Sequence, residues 1–339
     1  MADPVVVLIA AHLEKEQLDR IRAVDRRLEV HYEDDLVGKP KFPNDHSGPQ
    51  RTPEKETRFL ELLKRAEVMF DFDRPHLRDL RAVAPRLRWV QSTSSGIGQM
   101  VKRTGLDKAD LLITTSSGVH ARPLADFALM AMLMFAKDYP RMEREKRAKH
   151  WERYCGMELT GQTLAVVGAG RVGREVARLG KLMDMRVTGM RRSTEPLPGI
   201  DKVYQRKDLV AMLREADFIV LAAPHTAETE GMVGEAEIAA MKPTAVLINI
   251  GRGQLIDEPA FIKALQEGRL AGAALDVFGA EPPPPESPFW EMPNVIISPH
   301  SASTVLQEND RIVAICCDNL QRYLSGKPLQ NVLDTELLY

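Results

Sequence analysis

The sequence has 339 residues, of which 44% are hydrophobic and 28% charged, and its formal net charge is −2. This length exceeds what one hydrophobic core usually serves and predicts two domains. The near-balance of charge gives no reason to expect a nucleic acid partner. No apolar run approaches the roughly 18 to 20 residues that a membrane helix needs, so we expect no membrane partner.

The first apolar run, residues 5–10, is too short for the core of a signal peptide and has no basic segment before it. It is typical of a first β-strand. The three cysteines, Cys155, Cys316 and Cys317, are odd in number, and their spacing suits neither a disulfide framework nor a metal. We expect free thiols, no metal site and a cytoplasmic location.

Short apolar runs then alternate with amphipathic stretches along most of the chain, which predicts βα units and parallel sheets covered on both faces. A first group of strands falls at residues 5–10, 28–31, 68–72 and 87–91. A second group falls at residues 164–167, 187–189, 218–222, 245–249, 273–276 and 295–298. Helices are predicted at 121–136 and 141–151 between the groups, and at 304–323 after them.

Residues 34–52 are polar and contain Pro40, Pro43 and Pro49. This composition predicts a surface excursion rather than core. The segment is longer than most connections, and both a functional lid and an ordinary solvated insertion fit it.

A glycine-rich turn follows the strand at residues 164–167 and runs directly into a helical pattern. Gly168 permits a tight turn, Gly170 lets phosphates approach the backbone, and Gly173 lets helix and strand pack closely. Such a turn offers backbone N–H groups and the positive helix end to a pyrophosphate. We therefore predict a dinucleotide site that includes these glycines, Arg171 and Val172.

The next strand leads to Arg191, Arg192 and Ser193, where NAD-binding proteins usually place an acidic residue for the ribose hydroxyls. Two guanidinium groups and a hydroxyl suit a 2′-phosphate, so NADP is preferred, with NAD as the alternative. A solvated basic turn, with the ribose held elsewhere, also fits this segment.

Three polar residues follow the ends of three predicted strands: Arg252, Glu281 and His300. Open α/β sheets bind ligands at the carboxyl ends of their strands, so these side chains are expected to converge. Reduction of a ketone needs a proton donor at the carbonyl oxygen, and an anionic substrate needs a fixed cation. These residue types supply both.

At this point the sequence resembles the D-isomer-specific 2-hydroxy-acid dehydrogenases, and in particular glyoxylate and hydroxypyruvate reductases. The resemblance is strong over residues 168–302 and looser on either side. Its motifs are the glycine turn, Pro224, Thr226 and Thr229 in Ala-Pro-His-Thr-Ala-Glu-Thr, the Asn-Ile-Gly-Arg-Gly-Gln-Leu-Ile-Asp-Glu segment, Leu275-Asp276-Val277-Phe278, and residues 290–300.

The resemblance implies that Arg252 binds the substrate carboxylate and polarises the carbonyl, and that His300 is the general acid or base with Glu281 as its partner. A carboxylate beside an imidazole raises the pKa of the histidine, which keeps a proton available near neutral pH. Asp276 matches the residue that faces the nicotinamide carboxamide. The positions that match the rest of the nicotinamide side are Ala223, Pro224, Ile250 and Ala302.

In the first group of strands, Ser95, Gly96 and Ile97 resemble the family loop whose backbone amides hold the substrate carboxylate. A plain Ser/Gly turn is the alternative. The family often has aspartate where Gly98 stands. Leu124-Ala125-Asp126 also replaces the usual valine, alanine and glutamate of the hinge helix.

We therefore expect two doubly wound α/β domains, a Rossmann cofactor domain at 105–299 inserted into a flavodoxin-like substrate domain at 1–104 and 300–339. The expected activity is transfer of a hydride from NADPH or NADH to a small anionic 2-keto acid, giving the D-2-hydroxy acid. The family is usually homodimeric. Alternatives are a nucleotide-sensing corepressor of the same fold, disfavoured because the chain ends soon after its last helix, and a phosphite or phosphoglycerate dehydrogenase.

Overall fold

The computed structural model of the protein describes residues 4–46, 48 and 50–339. The chain divides into two compact units. The first unit comprises Met1–His120 with Thr304–Tyr339, and the second comprises Ala121–Ser303. Among the described residues, no helix is both long and apolar enough to cross a membrane.

The first unit contains a five-stranded parallel sheet in the order β2-β1-β3-β4-β5. Its strands are β1 Val5–Ile9, β2 Leu28–His31, β3 Val68–Phe70, β4 Trp89–Gln91 and β5 Leu112–Thr114. Its helices are α1 Lys15–Arg22, α2 Asp34–Val37, α3 Pro53–Arg65, α4 Leu80–Val83 and α5 Gly98–Thr104, together with the last helix of the chain, Glu308–Leu324.

The second unit contains a seven-stranded parallel sheet in the order β12-β11-β10-β9-β6-β7-β8. Its strands are β6 Thr163–Val167, β7 Arg186–Met190, β8 Lys202–Tyr204, β9 Phe218–Leu221, β10 Val246–Asn249, β11 Gly272–Leu275 and β12 Val295–Ile297. Its helices are α6 Ala121–Ala136, α7 Tyr139–Ala148, α8 Arg171–Leu182, α9 Leu209–Glu215, α10 Glu235–Ala240 and α11 Glu258–Gln266, and the last helix, Glu308–Leu324, is therefore α12.

Short 3₁₀ turns complete the elements, at Arg74–His76, Leu106–Lys108, Arg206–Asp208, Gly253–Leu255 and Pro288–Glu291.

Each sheet is buried on both faces, because separate hydrophobic clusters pack on its two sides. The central strand β6 is buried along its whole length, as its run of apolar residues requires. The strand orders are those of a flavodoxin-like sheet and of a Rossmann sheet with one added strand. The predicted fold class, two doubly wound domains with the Rossmann unit inserted in the chain of the other, is confirmed.

Two strands were not predicted from the sequence, β5 and β8. Both lie at the outer edge of their sheet and are three residues long. An edge strand has only one neighbour, so a run of three residues with one or two of them buried suffices to form it. Because β5 pairs with β4, the first unit continues to His120, whereas the sequence places the boundary between residues 104 and 105.

The segment 34–52 is not wholly a surface excursion, and the prediction is wrong for its first residues. Leu36 and Val37 of α2 are buried, and Leu36 belongs to the core of the first unit. Asn44 donates a hydrogen bond from its side chain to the carbonyl of Val305. Nε2 of His46 lies 2.8 Å from Oδ1 of Asn309. Pro49 and Ser47 lie outside the described residues.

The three cysteines are free, as expected. Cys316 is buried in the core of the first unit, Cys317 is half-buried, and Cys155 is exposed.

Candidate active site

The three predicted catalytic residues follow three adjacent strands of the second sheet. Arg252 follows β10, Glu281 follows β11 and His300 follows β12. Because these strands are parallel, their carboxyl ends lie at the same end of the sheet, and all three residues follow those ends. The structure thus brings them to one side, where α/β sheets bind ligands.

His300 and Glu281 are in direct contact: Nδ1 of the imidazole lies 2.7 Å from Oε2 of the carboxylate. The other carboxylate oxygen accepts a hydrogen bond from the backbone N–H of Phe278 at 3.0 Å. Both oxygens of the Glu281 carboxylate are therefore held in place. The imidazole is oriented by one nitrogen, which leaves its Nε2 for another partner.

This pairing shifts both pKa values. The hydrogen bond to Glu281 is the main cause that raises the pKa of His300 above its ordinary value, and it outweighs the opposing effect of burial. Burial pushes the pKa of Glu281 upward, but the contact with His300 and the Phe278 N–H outweigh it, so the net pKa is lowered. Both shifts favour an imidazolium beside a carboxylate.

The backbone of His300 is held in an unusual conformation by Asp276. His300 has a φ of +52°, a left-handed conformation that few non-glycine residues adopt. Oδ1 of the buried Asp276 accepts hydrogen bonds from the Ser298 hydroxyl at 2.6 Å and from the N–H groups of Ser301 and Ala302 at 2.9 Å each. These bonds fix the turn on both sides of His300.

Arg252 lies in a turn organised by Asn249, whose side chain is fully buried at the end of β10. The Asn249 amide donates to the carbonyl of Arg252 at 2.9 Å and accepts from the N–H of Gly251 at 3.1 Å. Nη1 of Arg252 donates to the Gly251 carbonyl at 2.6 Å. Burial lowers the pKa of Arg252, and the charges of Glu281 and Asp276 oppose that shift.

Glycines let the backbone segments of this site approach one another. A Cβ on Gly253 would lie 1.9 Å from the carbonyl carbon of Phe278, and one on Gly251 would lie 2.9 Å from the carbonyl oxygen of Ala223. No larger residue fits either position without a shift of the backbone.

The predicted glycine turn has the geometry that a dinucleotide requires. Gly168 has a φ of +104°, and a Cβ there would lie 2.6 Å from the backbone nitrogen of Ala223. A Cβ on Gly173 would lie 2.1 Å from the carbonyl oxygen of Gly168. By contrast, a Cβ on Gly170 would enter open space, with no atom within 4 Å.

Helix α8 begins directly after Gly170, at Arg171, and Gly170, its N-cap residue, makes no side-chain capping hydrogen bond. An open cradle at the start of a twelve-residue helix fits a pyrophosphate. The residues present therefore fit a dinucleotide cofactor. Val172, which the prediction also assigns here, is half-buried in the first turn.

The basic turn after β7 borders this cradle, because the Gly168 and Ala169 N–H groups both donate to the carbonyl of Met190. Arg191 follows Met190, and its backbone N–H donates to Tyr204 at 3.1 Å. Among residues that the structure describes, the guanidinium of Arg191 makes no hydrogen bond or ion pair. Arg192 pairs with Glu228 at 3.0 Å. Ser193 Oγ accepts from the N–H of Glu195 at 3.2 Å.

The remaining predicted cofactor residues lie at the same edge of the second sheet. Ala223 and Ile250 are buried, and the N–H of Ile250 donates to the carbonyl of Leu221 at 3.1 Å. Pro224 is exposed and Ala302 is half-buried. Ala223 contacts Gly168, so the end of β9 adjoins the glycine turn at the point where the strand order reverses.

The predicted substrate loop, Ser95, Gly96 and Ile97, lies in the first unit between β4 and α5. A Cβ on Gly98 would lie 1.9 Å from the carbonyl oxygen of Leu338. The aspartate that the family often has at this position would not fit beside the C-terminal segment, which explains the departure.

Sequence reasoning missed two partners of this loop. Oγ of Ser95 lies 3.1 Å from Nδ1 of His120, and Nε2 of His120 lies 3.1 Å from Oε1 of Glu308. His120 and Glu308 are 188 positions apart in the sequence. No sequence spacing links them, and only the pairing within the first unit reveals the contact.

A second polar cluster in the first unit was also missed. Candidate ligand atoms of Glu56, Asp73 and His76 lie within 4.8 Å of one another. Arg51 binds Asp73 at 2.9 Å and Glu56 at 3.5 Å, and the side chains of Arg51 and Asp73 are almost fully buried. Because the guanidinium supplies positive charge between the carboxylates, we interpret the cluster as an ion-pair network.

Comparison with known proteins gives the class of this site. The sequence profile of the D-isomer specific 2-hydroxyacid dehydrogenase NAD binding domain matches residues 129–302. The chain is 33% identical to a glyoxylate reductase of Aeropyrum pernix over 269 residues. This alignment covers 77% of this chain and 80% of that protein.

Solved structures agree over nearly the whole chain. A D-isomer specific 2-hydroxyacid dehydrogenase family protein from Aeromonas salmonicida superposes with a TM-score of 0.83 at 27% identity, covering 98% of this chain and 100% of that one. An NADPH-dependent glyoxylate/hydroxypyruvate reductase from Sinorhizobium meliloti, solved with NADP and sulfate, has a TM-score of 0.80 at 26% identity, covering 99% and 100%.

The chain therefore belongs to the D-isomer specific 2-hydroxyacid dehydrogenase family. It is an oxidoreductase with a domain that binds a nicotinamide cofactor. The resemblance inferred from the sequence motifs is confirmed.

Proposed function

We propose that this protein reduces a small 2-keto acid, such as glyoxylate or hydroxypyruvate, to the D-2-hydroxy acid, with NADPH as the preferred cofactor. The observation that carries the proposal is the 2.7 Å contact between His300 and Glu281. Both follow the carboxyl ends of strands of the second sheet, as Arg252 does. Relatives that act on glyoxylate support the substrate class and favour a reductase over a corepressor.

His300 is the general acid of the reduction. Because Nδ1 is engaged by Glu281, the proton that is transferred sits on Nε2. The raised pKa of His300 keeps that proton in place near neutral pH. It is donated to the oxygen of the substrate carbonyl as that oxygen gains negative charge, and the same pair acts as a base in the reverse direction.

Arg252 supplies the fixed positive charge. Its turn is anchored by Asn249 and Gly251, so the guanidinium is held without relying on a flexible side-chain stem alone. A partly buried cation binds the substrate carboxylate and polarises the carbonyl more strongly than a fully solvated one. From the family resemblance we also assign the backbone amides of Ser95, Gly96 and Ile97 to the binding of a substrate carboxylate.

The cofactor is held by the glycine turn, Arg171 and Val172 at its pyrophosphate. At its nicotinamide side we place Asp276, Ala223, Pro224, Ile250 and Ala302. When bound, the reduced nicotinamide supplies the hydride that the keto carbon accepts.

The preference for NADPH rests on Arg191, Arg192 and Ser193. Arg191 follows Met190, whose carbonyl accepts from the glycine turn, and its guanidinium has no partner among described residues, so a 2′-phosphate can recruit it. The Ser193 hydroxyl accepts a bond from Glu195 and keeps its own proton to donate. No acidic residue occupies this turn between Met190 and Thr194.

On this proposal the second unit is the cofactor domain and the first is the substrate domain. We further propose a homodimer, since α6, α7 and the segment after them expose Met130, Leu133, Tyr139, Met142 and Trp151, the last with 95% of its surface accessible. The free cysteines fit a cytoplasmic location.

The proposal is tested by following the oxidation of NADPH and NADH with glyoxylate, hydroxypyruvate, pyruvate, bulkier 2-keto acids and 3-phosphohydroxypyruvate. Phosphite is tested in the oxidative direction with NADP and NAD. Turnover of the small keto acids with NADPH, giving the D product, is expected. No turnover of any 2-keto acid would overturn the proposed reaction, and a wide preference for NADH would overturn the cofactor assignment.

A further inference from the structure

Three polar side chains of the first unit form a chain that ends at the proposed substrate loop. Ser95 Oγ, His120 and the Glu308 carboxylate are linked by two contacts of 3.1 Å each. The side chains of His120 and Glu308 are only 13% and 8% exposed, whereas Ser95 is half-buried in a loop flanked by exposed residues. The chain thus leads from the interior to the surface at the loop.

Both ring nitrogens of His120 are engaged, which fixes the imidazole in one orientation. Glu308 is the first residue of α12, where the helix dipole favours a carboxylate. Because a carboxylate can only accept, it accepts the Nε2 proton of His120. The other ring nitrogen, Nδ1, lies within hydrogen-bond distance of Ser95 Oγ and holds that oxygen in one rotamer.

The backbone of the loop is fixed without this chain. The N–H of Ser94 donates to Oγ of Ser92 at 3.1 Å, and the carbonyl of Ser94 accepts from the N–H of Ser116 at 3.2 Å. These bonds fix the backbone at Ser94 independently of His120. What His120 adds is the orientation of one hydroxyl. Burying an ionisable pair costs desolvation free energy, which favours a functional role for the hydroxyl that the pair orients.

We propose that His120, held by Glu308, is a positioning residue that carries a proton on both ring nitrogens. Its Nδ1–H donates to Ser95 Oγ, which leaves the Ser95 hydroxyl proton to be donated to the carboxylate of the 2-keto acid. The substrate is then bound by a side chain of this loop as well as by its backbone amides. This inference rests on the proposed function, because it takes Ser95, Gly96 and Ile97 as the carboxylate-binding loop. A hydroxyl already held in its bound rotamer loses little entropy on binding, so the contact favours affinity.

The test compares Ser95→Ala with two replacements of His120, using glyoxylate and hydroxypyruvate at saturating cofactor. Asparagine places a polar atom near Nδ1 and keeps the contact with Ser95, whereas glutamine places one near Nε2 and keeps only the contact with Glu308. A hydrogen bond to a charged group is worth about 1.5–3 kcal/mol, or roughly 10- to 100-fold in affinity.

We expect Ser95→Ala and His120→Gln each to raise KM about tenfold or more for both substrates with kcat little changed, which is the signature of lost ground-state binding. His120→Asn is expected to raise KM less. The double variant Ser95→Ala with His120→Gln should be no worse than Ser95→Ala alone, because both remove one contact. His46→Gln, a histidine that contacts the next residue of α12, serves as the control and should leave KM unchanged.

Each other outcome overturns the inference. If Ser95→Ala raises KM but the His120 variants do not, His120 has no positioning role and the proposed function stands. If only the KM for hydroxypyruvate rises, the hydroxyl contacts the substituent at C3 rather than the carboxylate. If the His120 variants lower the melting temperature without a change in KM, the pair is a structural clamp. Failure of the wild type to reduce any 2-keto acid overturns the proposed function itself.

Discussion

The backbone N–H of His300 donates to the carbonyl oxygen of Asp276 at 3.0 Å, and Oδ1 of the same aspartate accepts the N–H of Ser301, the residue that follows. Asp276 thus holds the turn that carries His300, in addition to the contact with the nicotinamide that the family resemblance implies. Its negative charge also helps to raise the pKa of His300.

Asp276→Asn is expected to shift the pH profile of keto-acid reduction. Reduction needs protonated His300, so kcat/KM is high below the pKa of that residue and falls as the pH rises through it. Removing the charge of Asp276 lowers this pKa, and the fall then occurs at lower pH. Ser298→Ala is the control, because it removes one donor to Oδ1 and leaves the charge in place. An unchanged profile in Asp276→Asn would show that its charge does not reach the imidazole.

Glu281→Gln should have a larger effect of the same sign. The contact with Glu281 is the main cause of the raised pKa of His300, and glutamine keeps the size of the side chain without its charge. We expect the pH at which kcat/KM falls to decrease further than in Asp276→Asn, and activity near neutral pH to drop by roughly 10²- to 10⁴-fold, the usual contribution of general acid catalysis. A pH profile identical to that of the wild type would contradict the role of the pair.

Arg191→Ala tests the cofactor preference. Loss of one charged hydrogen-bond donor to a 2′-phosphate should lower kcat/KM for NADPH by about 10- to 100-fold and leave kcat/KM for NADH almost unchanged. Arg269→Ala, which removes an exposed arginine paired with Glu267 in the same unit, controls for the change in net charge. Equal losses with both cofactors would argue that Arg191 acts on folding rather than on the phosphate.

Arg51→Met tests the buried ion-pair network of the first unit. The variant leaves Asp73 buried without its cation, and breaking such a pair is expected to lower the free energy of unfolding by about 3–5 kcal/mol. Arg65→Met, which removes an exposed partner of Glu29, should cost about 1 kcal/mol or less. Denaturant unfolding of both variants gives the comparison.

The loss of unfolding free energy in Arg51→Met should depend on pH. Burial already raises the pKa of Asp73 in the folded protein, and loss of Arg51 raises it further. A carboxyl group with a raised folded pKa stabilises the folded state at pH values below its unfolded pKa, and that contribution is lost as the pH rises through the folded pKa. The difference between Arg51→Met and wild type should therefore shrink as the pH is lowered. A difference independent of pH would mean that Asp73 is not the residue left unpaired.

The interior strands of both sheets could be predicted from the sequence because they are buried on both faces and appear as continuous apolar runs. The edge strands β5 and β8 could not, since only one or two of their three residues need to be buried. The place of α2 was missed for a related reason: Leu36 and Val37 are an apolar pair inside a polar segment, and nothing local shows that they reach the core.

At the site, the sequence predicted that Arg252, Glu281 and His300 lie together because each follows a strand. Parallel strands have their carboxyl ends at the same end of the sheet, so residues that follow them lie near one another. It gave no indication of the partners of Asp276 or of the contact between His120 and Glu308. Those depend on backbone turns and on distant pairings, which periodicity and spacing do not encode.

The last residues of the chain complete the first unit. Val332 forms an antiparallel bridge with Thr114 at the open side of β5, and α12 contributes Ile312, Cys316 and Leu320 to the same core as Val7 and Trp89. During synthesis, residues 121–303 have all been made before α12 exists, so the second unit can fold while the first still exposes an apolar sheet face and an unpaired edge. The nascent chain is most prone to aggregation in that interval, and its demand for chaperones should be concentrated there.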